Sequence, residues 1–216
     1  MRLHSLSISN FRKLKQCTIN FRDTTFLIGP NNAGKSSVFA ALQQLHKNTA
    51  LSREDFSKSY CEEEGDYQYA DNVTLVAEYH NLPEQANDWL GFRGRVIRHE
   101  DILAGETPYK IIYKKQWSIN TAKPKIFMLE YNRTVSAAYA DCATVSDLVG
   151  EDFTEAFIKE FFGAVNFDKA LTLKAVKEKL IDLPQYWHID EDAAADWVEN
   201  PGGIPGNVIS LSLIHI

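Results

Sequence analysis

The chain has 216 residues, of which 44% are hydrophobic and 24% are charged, and its formal net charge is −6. This composition is typical of a globular protein. No run approaches the roughly 20 apolar residues of a membrane-spanning helix, and the N-terminus lacks the apolar core of a signal peptide. Cys17, Cys61 and Cys142 are widely spaced and odd in number, which argues against a disulfide framework or a metal cluster. We therefore expect a protein of the reducing cytoplasm with no membrane partner.

Positive charge is concentrated at the start of the chain. Residues 1–50 carry seven lysines and arginines against one acidic residue, whereas the remainder is acidic on balance. Such an asymmetry can mark a site for a polyanion, and a bound nucleotide alone would account for it.

Two strands are predicted at the N-terminus. In residues 2–11, Leu6 and Ile8 alternate with serines, and Phe11 ends the run. After a basic turn, Cys17 and Ile19 alternate with polar residues, which is the pattern of a second, half-buried strand. We expect the two strands to be antiparallel.

The next stretch has the sequence FLIGPNNAGKSS and matches G-x-x-x-x-G-K-S/T from Gly29 to Ser36. The apolar run Phe26-Leu27-Ile28 predicts a strand buried on both faces. Helical spacing follows the loop, at Val38, Phe39, Leu42 and Leu45. A strand before the loop and a helix after it distinguish a phosphate-binding P-loop from a glycine-containing turn.

The residue types of this loop suit a nucleoside triphosphate. Its glycines let backbone N–H groups face phosphate oxygens, and the helix N-terminus adds positive potential. Lys35 is expected to reach the β- and γ-phosphates, and the Ser36 hydroxyl to hold Mg²⁺. The predicted nucleotide-binding residues are Gly29, Asn31, Asn32, Ala33, Gly34, Lys35, Ser36 and Ser37.

Two segments resemble the opening of SMC- and RecF-like ATPases, namely Ile8-Ser9-Asn10-Phe11-Arg12 and the stretch from Phe26 to Ser37. More narrowly, the chain resembles the overcoming-lysogenization-defect (OLD) family of ATP-dependent endonucleases. The later stretches that share this likeness are 53–56, 73–79, 82–84, 115–117 and 201–209. The resemblance therefore extends over residues 1–209, and the first fifty residues are specific for the ATPase superfamily.

This resemblance implies an α/β fold, a P-loop ATPase lobe of the ABC/SMC type with a helical insertion in its second half. It implies ATP and Mg²⁺ as cofactors, a homodimer whose ATPase lobes meet across nucleotide, and DNA as a partner. It also implies a C-terminal TOPRIM nuclease, none of whose residues lies in this chain. By analogy Arg12 approaches the γ-phosphate and Asn32 matches a P-loop asparagine. A surface arginine and a plain turn residue are the alternatives.

Residues 47–72 are polar, and the run Glu62-Glu63-Glu64 suggests either a divalent-metal site or a solvated loop, of which we favour the loop. Residues 73–79 predict a strand by alternation. Three more strand candidates, 93–98, 109–117 and 125–131, would complete the antiparallel part of the lobe.

From residue 134 the periodicity becomes helical. Phe153, Phe157 and Phe161 recur at i, i+4 and i+8, and a lysine-rich amphipathic segment follows around Val176. Such a segment contacts DNA or a partner helix, or is an ordinary solvated helix. The acidic cluster Asp190-Glu191-Asp192 is interpreted as the first turn of a helix rather than as a Mg²⁺-binding strand end. We therefore assign no catalytic residue.

The last six residues match the translation of a transposon-end sequence used in library adapters, so we interpret 211–216 as a non-native read-through tail rather than an apolar strand. The predicted organisation is then 1–133, the N-terminal part of a P-loop ATPase domain; 134–200, a helical region and candidate dimerisation insertion; and 201–210, the start of the next ATPase segment.

Three functions remain open. The first is ATP binding and hydrolysis by the N-terminal portion of an OLD-like ATP-dependent DNA endonuclease. The others are a RecF- or SMC-like DNA-repair ATPase without a nuclease and an ATPase sensor of an anti-phage defence system. In each case we expect the 216 residues by themselves not to hydrolyse ATP.

Overall fold

A computed structural model gives the fold of the chain. It describes residues 1–63, 65–89, 92, 95–100, 102–163, 167–189 and 195–199. Within these ranges the strands are β1 (Arg2–Phe11), β2 (Leu14–Asn20), β3 (Lys58–Cys61), β4 (Asp66–Tyr69), β5 (Asn72–His80), β6 (Ile97–Arg98), β7 (Tyr109–Ser118), β8 (Lys125–Tyr131), β9 (Arg133–Val135), β10 (Trp187–Ile189) and β11 (Ala195–Glu199).

Three α-helices accompany these strands: α1 (Lys35–His46), α2 (Glu155–Phe162) and α3 (Lys174–Leu180). Single 3₁₀ turns lie between the larger elements, at Arg53–Asp55, Glu84–Asp88, Ala137–Tyr139, Val145–Leu148 and Pro184–Tyr186. None of the helices in the described part of the chain is long and apolar enough to cross a bilayer.

A seven-stranded antiparallel sheet organises the molecule. Its strands lie in the order β11-β8-β7-β5-β1-β2, and β6 pairs with β7 beside this path. The pairing of β1 with β2 is antiparallel, with Leu6 opposite Ile19. The predicted strands at 2–11, 73–79, 109–117 and 125–131 are confirmed, as is the α/β class.

Alternation along the strands explains why one face of the sheet is buried. On β5 the side chains of Val73, Leu75, Ala77 and Tyr79 are all at most 1% exposed, and the residues between them face the other way. Against this core packs one face of α1, formed by Val38, Ala41, Leu42 and Leu45. The helix spacing predicted from the sequence is thus confirmed, except that Phe39 points outward.

A second apolar core, formed by buried residues between 139 and 186, includes α2 and α3. Helix α2 begins at Thr154, whose hydroxyl accepts a hydrogen bond from the N–H of Phe157, the usual N-cap arrangement. Phe153 precedes the helix, but its ring still stacks on Phe157, and Phe157 stacks on Phe161, both at 5.6 Å between centroids.

The prediction of a buried strand at Phe26-Leu27-Ile28 is wrong for this structure. The segment is not a strand, and the side chains of Phe26 and Ile28 are 79% and 92% exposed. A continuous apolar run indicates a strand only where neighbouring strands bond its backbone and cover both faces. No strand of the described residues pairs with this segment.

Residues 47–72 are also more regular than predicted, because β3 and β4 form a hairpin with Lys58 opposite Tyr69. Glu62 and Glu63 lie exposed in its turn, as expected of solvated residues, and Glu64 lies outside the described residues. Of the strand candidate at 93–98, only Ile97–Arg98 is a strand, and residues 93 and 94 also lie outside.

The helical interpretation of 134–200 holds only in part, because β10 and β11 lie within that range. Ala195, expected in a helix, begins β11, which pairs with β8 through Ala195 opposite Tyr131. The ring of Trp197 packs 4.1 Å from the ammonium of Lys114 on β7, a contact that local propensity does not encode. Residues 190–192, 201–210 and 211–216, to which predictions were attached, lie outside the described residues.

We predict that Ile28→Ser changes the free energy of unfolding by no more than about 0.5 kcal/mol, because an exposed side chain loses little on replacement. The matched comparison is Leu75→Ala, which removes a fully buried side chain and should cost about 2–5 kcal/mol. Urea denaturation followed by circular dichroism measures both. A loss for Ile28→Ser comparable to that for Leu75→Ala would show that the segment is buried.

Candidate nucleotide-binding site

The loop from Gly29 to Gly34 turns back on itself before α1. Asn32 and Gly34 both have positive φ, 74° and 94°. A Cβ on Gly34 would lie 2.9 Å from Cδ2 of Leu14, the first residue of β2. The backbone conformation therefore favours glycine at this position, and any larger residue would also have to displace the terminal methyl group of Leu14.

The N-terminus of α1 is free of the groups that usually cap a helix. Its N-cap residue is Gly34, no side chain accepts a hydrogen bond from the first turn, and the first turn contains no acidic residue. All residues of this loop and helix are described. The N–H groups of Ser37 and Val38 donate to the carbonyl oxygen of Gly34, so the N–H groups of Lys35 and Ser36 are the ones that precede the first intrahelical hydrogen bond. They lie at the positive end of the helix dipole, so this N-terminus can bind an anion.

Lys35 is the first residue of α1 and folds back over the loop. Its Nζ donates hydrogen bonds to the carbonyl oxygens of Gly29, at 2.6 Å, and Pro30, at 2.8 Å. Both acceptors are neutral, so the charge of the ammonium is not neutralised by them. A phosphate oxygen would be a stronger acceptor for the same donors.

The β1–β2 turn brings more positive charge to the loop. Arg12 has a φ of 51° and its Nε donates to Oδ1 of Asp55 at 2.8 Å. Burial alone would raise the pKa of Asp55, but the hydrogen bonds from Arg12 and Ser52 hold this pKa below its ordinary value. The ammonium of Lys13 donates to Oδ1 of Asn32, which joins the turn to the middle of the loop.

A cavity of about 500 Å³ lies between this turn, the start of α1 and the β3–β4 hairpin. It brings together four of the predicted site residues, Arg12, Asn32, Ser36 and Ser37, whereas Lys35 and the other predicted residues of the loop do not line it. Ser36 is exposed and Ser37 is buried. The remaining lining residues are Lys13, Lys15, Glu54, Phe56, Ser57, Lys58 and Tyr69.

From the sequence, residues 54–69 were not predicted to line this cavity, because they were interpreted as part of a polar loop. In the structure Tyr69 ends β4, its hydroxyl lies 3.3 Å from a carboxylate oxygen of Glu54, and Arg53 lies 4.5 Å from its ring centroid. The alternation Lys58-Ser59-Tyr60 and Tyr67-Gln68-Tyr69 is a weak strand signal that could have indicated the hairpin.

Comparison with known protein families agrees with this geometry. Residues 1–184 match the model of the AAA ATPase domain. The chain belongs to this family of AAA ATPase domains. Binding of ATP is the chemistry of such domains, and the match covers α1 and every strand of the sheet except β11, together with most of the second core.

Individual relatives are more distant. The Old nuclease of Escherichia phage P2 is 44% identical over 55 residues, which are 26% of this chain and 9% of that protein. The chain thus spans only a small part of the relative it matches. A solved structure from work on ATP-driven dimerization and DNA-stimulated activation of SMC ATPases covers 85% of this chain and 99% of its own, with 12% sequence identity and a TM-score of 0.38.

A larger cavity, of about 1130 Å³, lies at the other end of β1 and β5 and is lined by several histidines. His4 stacks on His80 with 3.9 Å between ring centroids and 3° between planes, and His99 lies 4.1 Å from His80. Stacked rings direct their lone pairs side by side rather than toward one point. Accordingly, no group of three potential ligands among the described residues is arranged to hold a metal ion.

Glu78 is the charged partner of this cluster. Its Oε1 lies 2.7 Å from Nε2 of His80 and 3.5 Å from Nζ of Lys110. Burial would raise the pKa of Glu78, but the hydrogen bond from His80 and the charge of Lys110 lower it to about 2. Burial, followed by the proximity of His80, lowers the pKa of His99 to about 4.

A carboxyl group with a lowered pKa stabilises the fold above its unfolded pKa of 4.5, and this contribution disappears as the pH falls toward 2. We predict that Glu78→Gln lowers stability at pH 7 by at most about 3 kcal/mol. The difference from the wild type should shrink as the pH is lowered from 4.5 to 2. Urea titrations across this range measure it, with the exposed Glu63→Gln as control. If the difference in the free energy of unfolding between the wild type and Glu78→Gln did not change with pH, the lowered pKa of Glu78 would be contradicted.

Proposed function

We propose that residues Gly29–Ser37 bind ATP together with Mg²⁺, and that the chain is the ATP-binding portion of an OLD-like, ATP-dependent DNA endonuclease. The observation that carries the first part is the uncapped N-terminus of α1, which begins at Lys35 and presents Ser36 to a cavity. This arrangement suits a polyphosphate because backbone N–H groups, a helix dipole and an ammonium group all favour negative charge at one place.

On binding of ATP, the ammonium group of Lys35 would exchange its present hydrogen-bond acceptors for phosphate oxygens. In the structure its Nζ is bound by two loop carbonyls, those of Gly29 and Pro30. Phosphate oxygens would replace these carbonyls, and a hydrogen bond to a charged group contributes about 1.5–3 kcal/mol. Ser36, exposed beside the cavity, would hold Mg²⁺ through its hydroxyl. The metal ion would neutralise charge between the β- and γ-phosphates.

Arg12 and Asn32 are placed to act on the same ligand but have other partners in the structure. The guanidinium of Arg12 would have to leave Asp55, and Asn32 would have to release Lys13, before either could contact a phosphate. Arg12 can make this exchange because its side chain is 42% exposed, and Asp55, which is 15% exposed, would keep its hydrogen bonds from Ser52. Lys13 becomes a further candidate phosphate ligand.

The nuclease part of the proposal concerns the whole protein. It is supported by the sequence resemblance and by the partial identity with the phage P2 Old nuclease. DNA is then the substrate and ATP the regulator of its cleavage. Incubating the complete protein with plasmid DNA, Mg²⁺ and ATP tests this proposal. Absence of cleavage under all metal and nucleotide conditions would favour an ATPase without a nuclease.

We predict that Lys35→Ala weakens ATP binding by the complete protein by roughly ten- to 150-fold, which corresponds to the loss of one charge-assisted hydrogen bond of about 1.5–3 kcal/mol. Fluorescence titration with a labelled ATP analogue measures the dissociation constant. The control is Lys123→Ala, which removes an exposed lysine in the β7–β8 connection. Equal affinities for the wild type and Lys35→Ala would exclude the P-loop as the site. We expect no hydrolysis by this chain, because no catalytic acid is assigned in it.

We further propose a homodimer, with α2 contributing to the contact. Phe157 is 36% exposed although its ring stacks on both Phe153 and Phe161. Replacing it as Phe157→Ser should shift the population toward monomers in light scattering performed with ATP. The control is Ile181→Ser, which changes another exposed apolar residue, at the C-terminal end of α3. A protein that is monomeric with and without ATP would contradict the proposal.

A further inference from the structure

Strand β7 places a lysine where its alternation calls for an apolar residue. Tyr109, Ile111, Tyr113 and Trp117 face the core from alternate positions, and Lys115 occupies the position between the last two. Its exposed fraction is 1%, so the whole side chain is buried. A buried ammonium is costly unless its N–H groups are all bonded, so its contacts define what it does.

All three N–H groups of Lys115 are used at the end of α1. Nζ donates to the carbonyl oxygens of Gln44 at 3.2 Å, Leu45 at 2.6 Å and Lys47 at 3.1 Å. An ammonium group has three donors and no more, so these contacts saturate it. Burial lowers the pKa of Lys115 to about 8, and the three carbonyl acceptors act in the opposite direction by favouring the charged form.

The helix needs this partner because it lacks the usual C-terminal cap. Many helices end with a left-handed residue whose N–H groups satisfy the last carbonyls. Here the C-cap residue Lys47 is extended, with φ −99° and ψ 133°, and its N–H reaches only the carbonyl of Gln44. The Lys115 ammonium takes the place of such a cap, and its positive charge lies at the negative end of the helix dipole.

We propose that Lys115 is a positioning residue for the phosphate-binding loop, acting by anchoring the C-terminal end of α1 to strand β7. Helix α1 has 12 residues, so its ends are about 18 Å apart. Apolar packing of Val38, Ala41 and Leu42 resists separation from the sheet but is non-directional. The three hydrogen bonds restrict sliding and rotation of the helix, and so hold the N–H groups of its first turn in place. This inference rests on the proposed nucleotide site.

The test compares Lys115→Met with two variants that also disturb the buried face of the sheet. Methionine keeps an unbranched side chain that is one heavy atom shorter, and it removes the three donors. Trp117→Phe removes the hydrogen bond from Nε1 to the carbonyl of Thr49, which lies beyond the end of α1. Val73→Ala removes buried volume from β5, opposite Trp117. The melting temperature of each variant calibrates its general loss of stability.

Two quantities are then measured for each variant. The first is the dissociation constant for a labelled ATP analogue, for which we expect about a tenfold increase in Lys115→Met, equivalent to about 1.4 kcal/mol of binding free energy. The second is amide hydrogen exchange at Ser37 and Val38 without nucleotide, because both N–H groups donate to the carbonyl oxygen of Gly34 and their exchange should become faster when the helix is less firmly held. Trp117→Phe and Val73→Ala should leave both quantities unchanged. Lys115→Gln, which keeps two N–H donors, should give intermediate values and replaces the Met variant if that variant does not fold.

The outcomes separate this inference from the proposed site. If Lys35→Ala and Lys115→Met both bind ATP like the wild type, the nucleotide assignment fails, while hydrogen exchange still reports on positioning. If Lys35→Ala weakens binding but Lys115→Met leaves affinity and exchange unchanged, Lys115 has no positioning role. An affinity loss that follows the melting temperature equally in all variants would show that Lys115 contributes only stability.

Discussion

The packing of α1 on the antiparallel sheet is the constraint on which the candidate site depends. A phosphate-binding loop functions only if the N–H groups at the start of its helix point to one place, and these groups move with the helix. Here the helix is held along its length by Val38, Ala41, Leu42 and Leu45. At its end it meets Lys115, and just beyond, the indole of Trp117 bonds to Thr49. Strand β7 therefore contacts the helix at the end opposite to the loop.

The β1–β2 hairpin supplies the complementary constraint at the other end. Its turn carries Arg12 and Lys13, and its first residue after the turn, Leu14, lies against Gly34. Side-chain hydrogen bonds also connect this turn to neighbouring segments. For example, the hydroxyl of Ser57 donates to the carbonyl oxygen of Arg12 at 2.7 Å. The backbone N–H of Arg12 donates to the carbonyl oxygen of Asp55 at 2.8 Å, which holds the β1–β2 turn against the 3₁₀ turn at Arg53–Asp55.

The two apolar cores of the molecule meet through polar side chains. Gln185 of the second core donates to the hydroxyl of Tyr109 on β7, and Arg98 lies 3.8 Å from Asp152. The histidine-lined cavity lies beside these contacts. Interfaces of this polar kind are characteristic of units that pack together without sharing one core. In the segment before the P-loop, Leu27 packs against the first core, whereas the side chains of Phe26 and Ile28 are exposed.

The sequence by itself determined the parts of this protein that depend on local patterns. Alternation identified β1, β5, β7 and β8, and helical spacing with a glycine-rich loop identified α1 together with Lys35 and Ser36. These signals are local because side-chain periodicity and backbone freedom are properties of neighbouring residues. Tertiary structure decided what depends on partners distant in the chain. The exposure of Ile28, the strand at Ala195–Glu199 and the β3–β4 hairpin all follow from which strands pair. The role of Lys115 was likewise invisible, because its acceptors at residues 44–47 lie about seventy positions away in sequence and only folding brings a helix end to a buried amine.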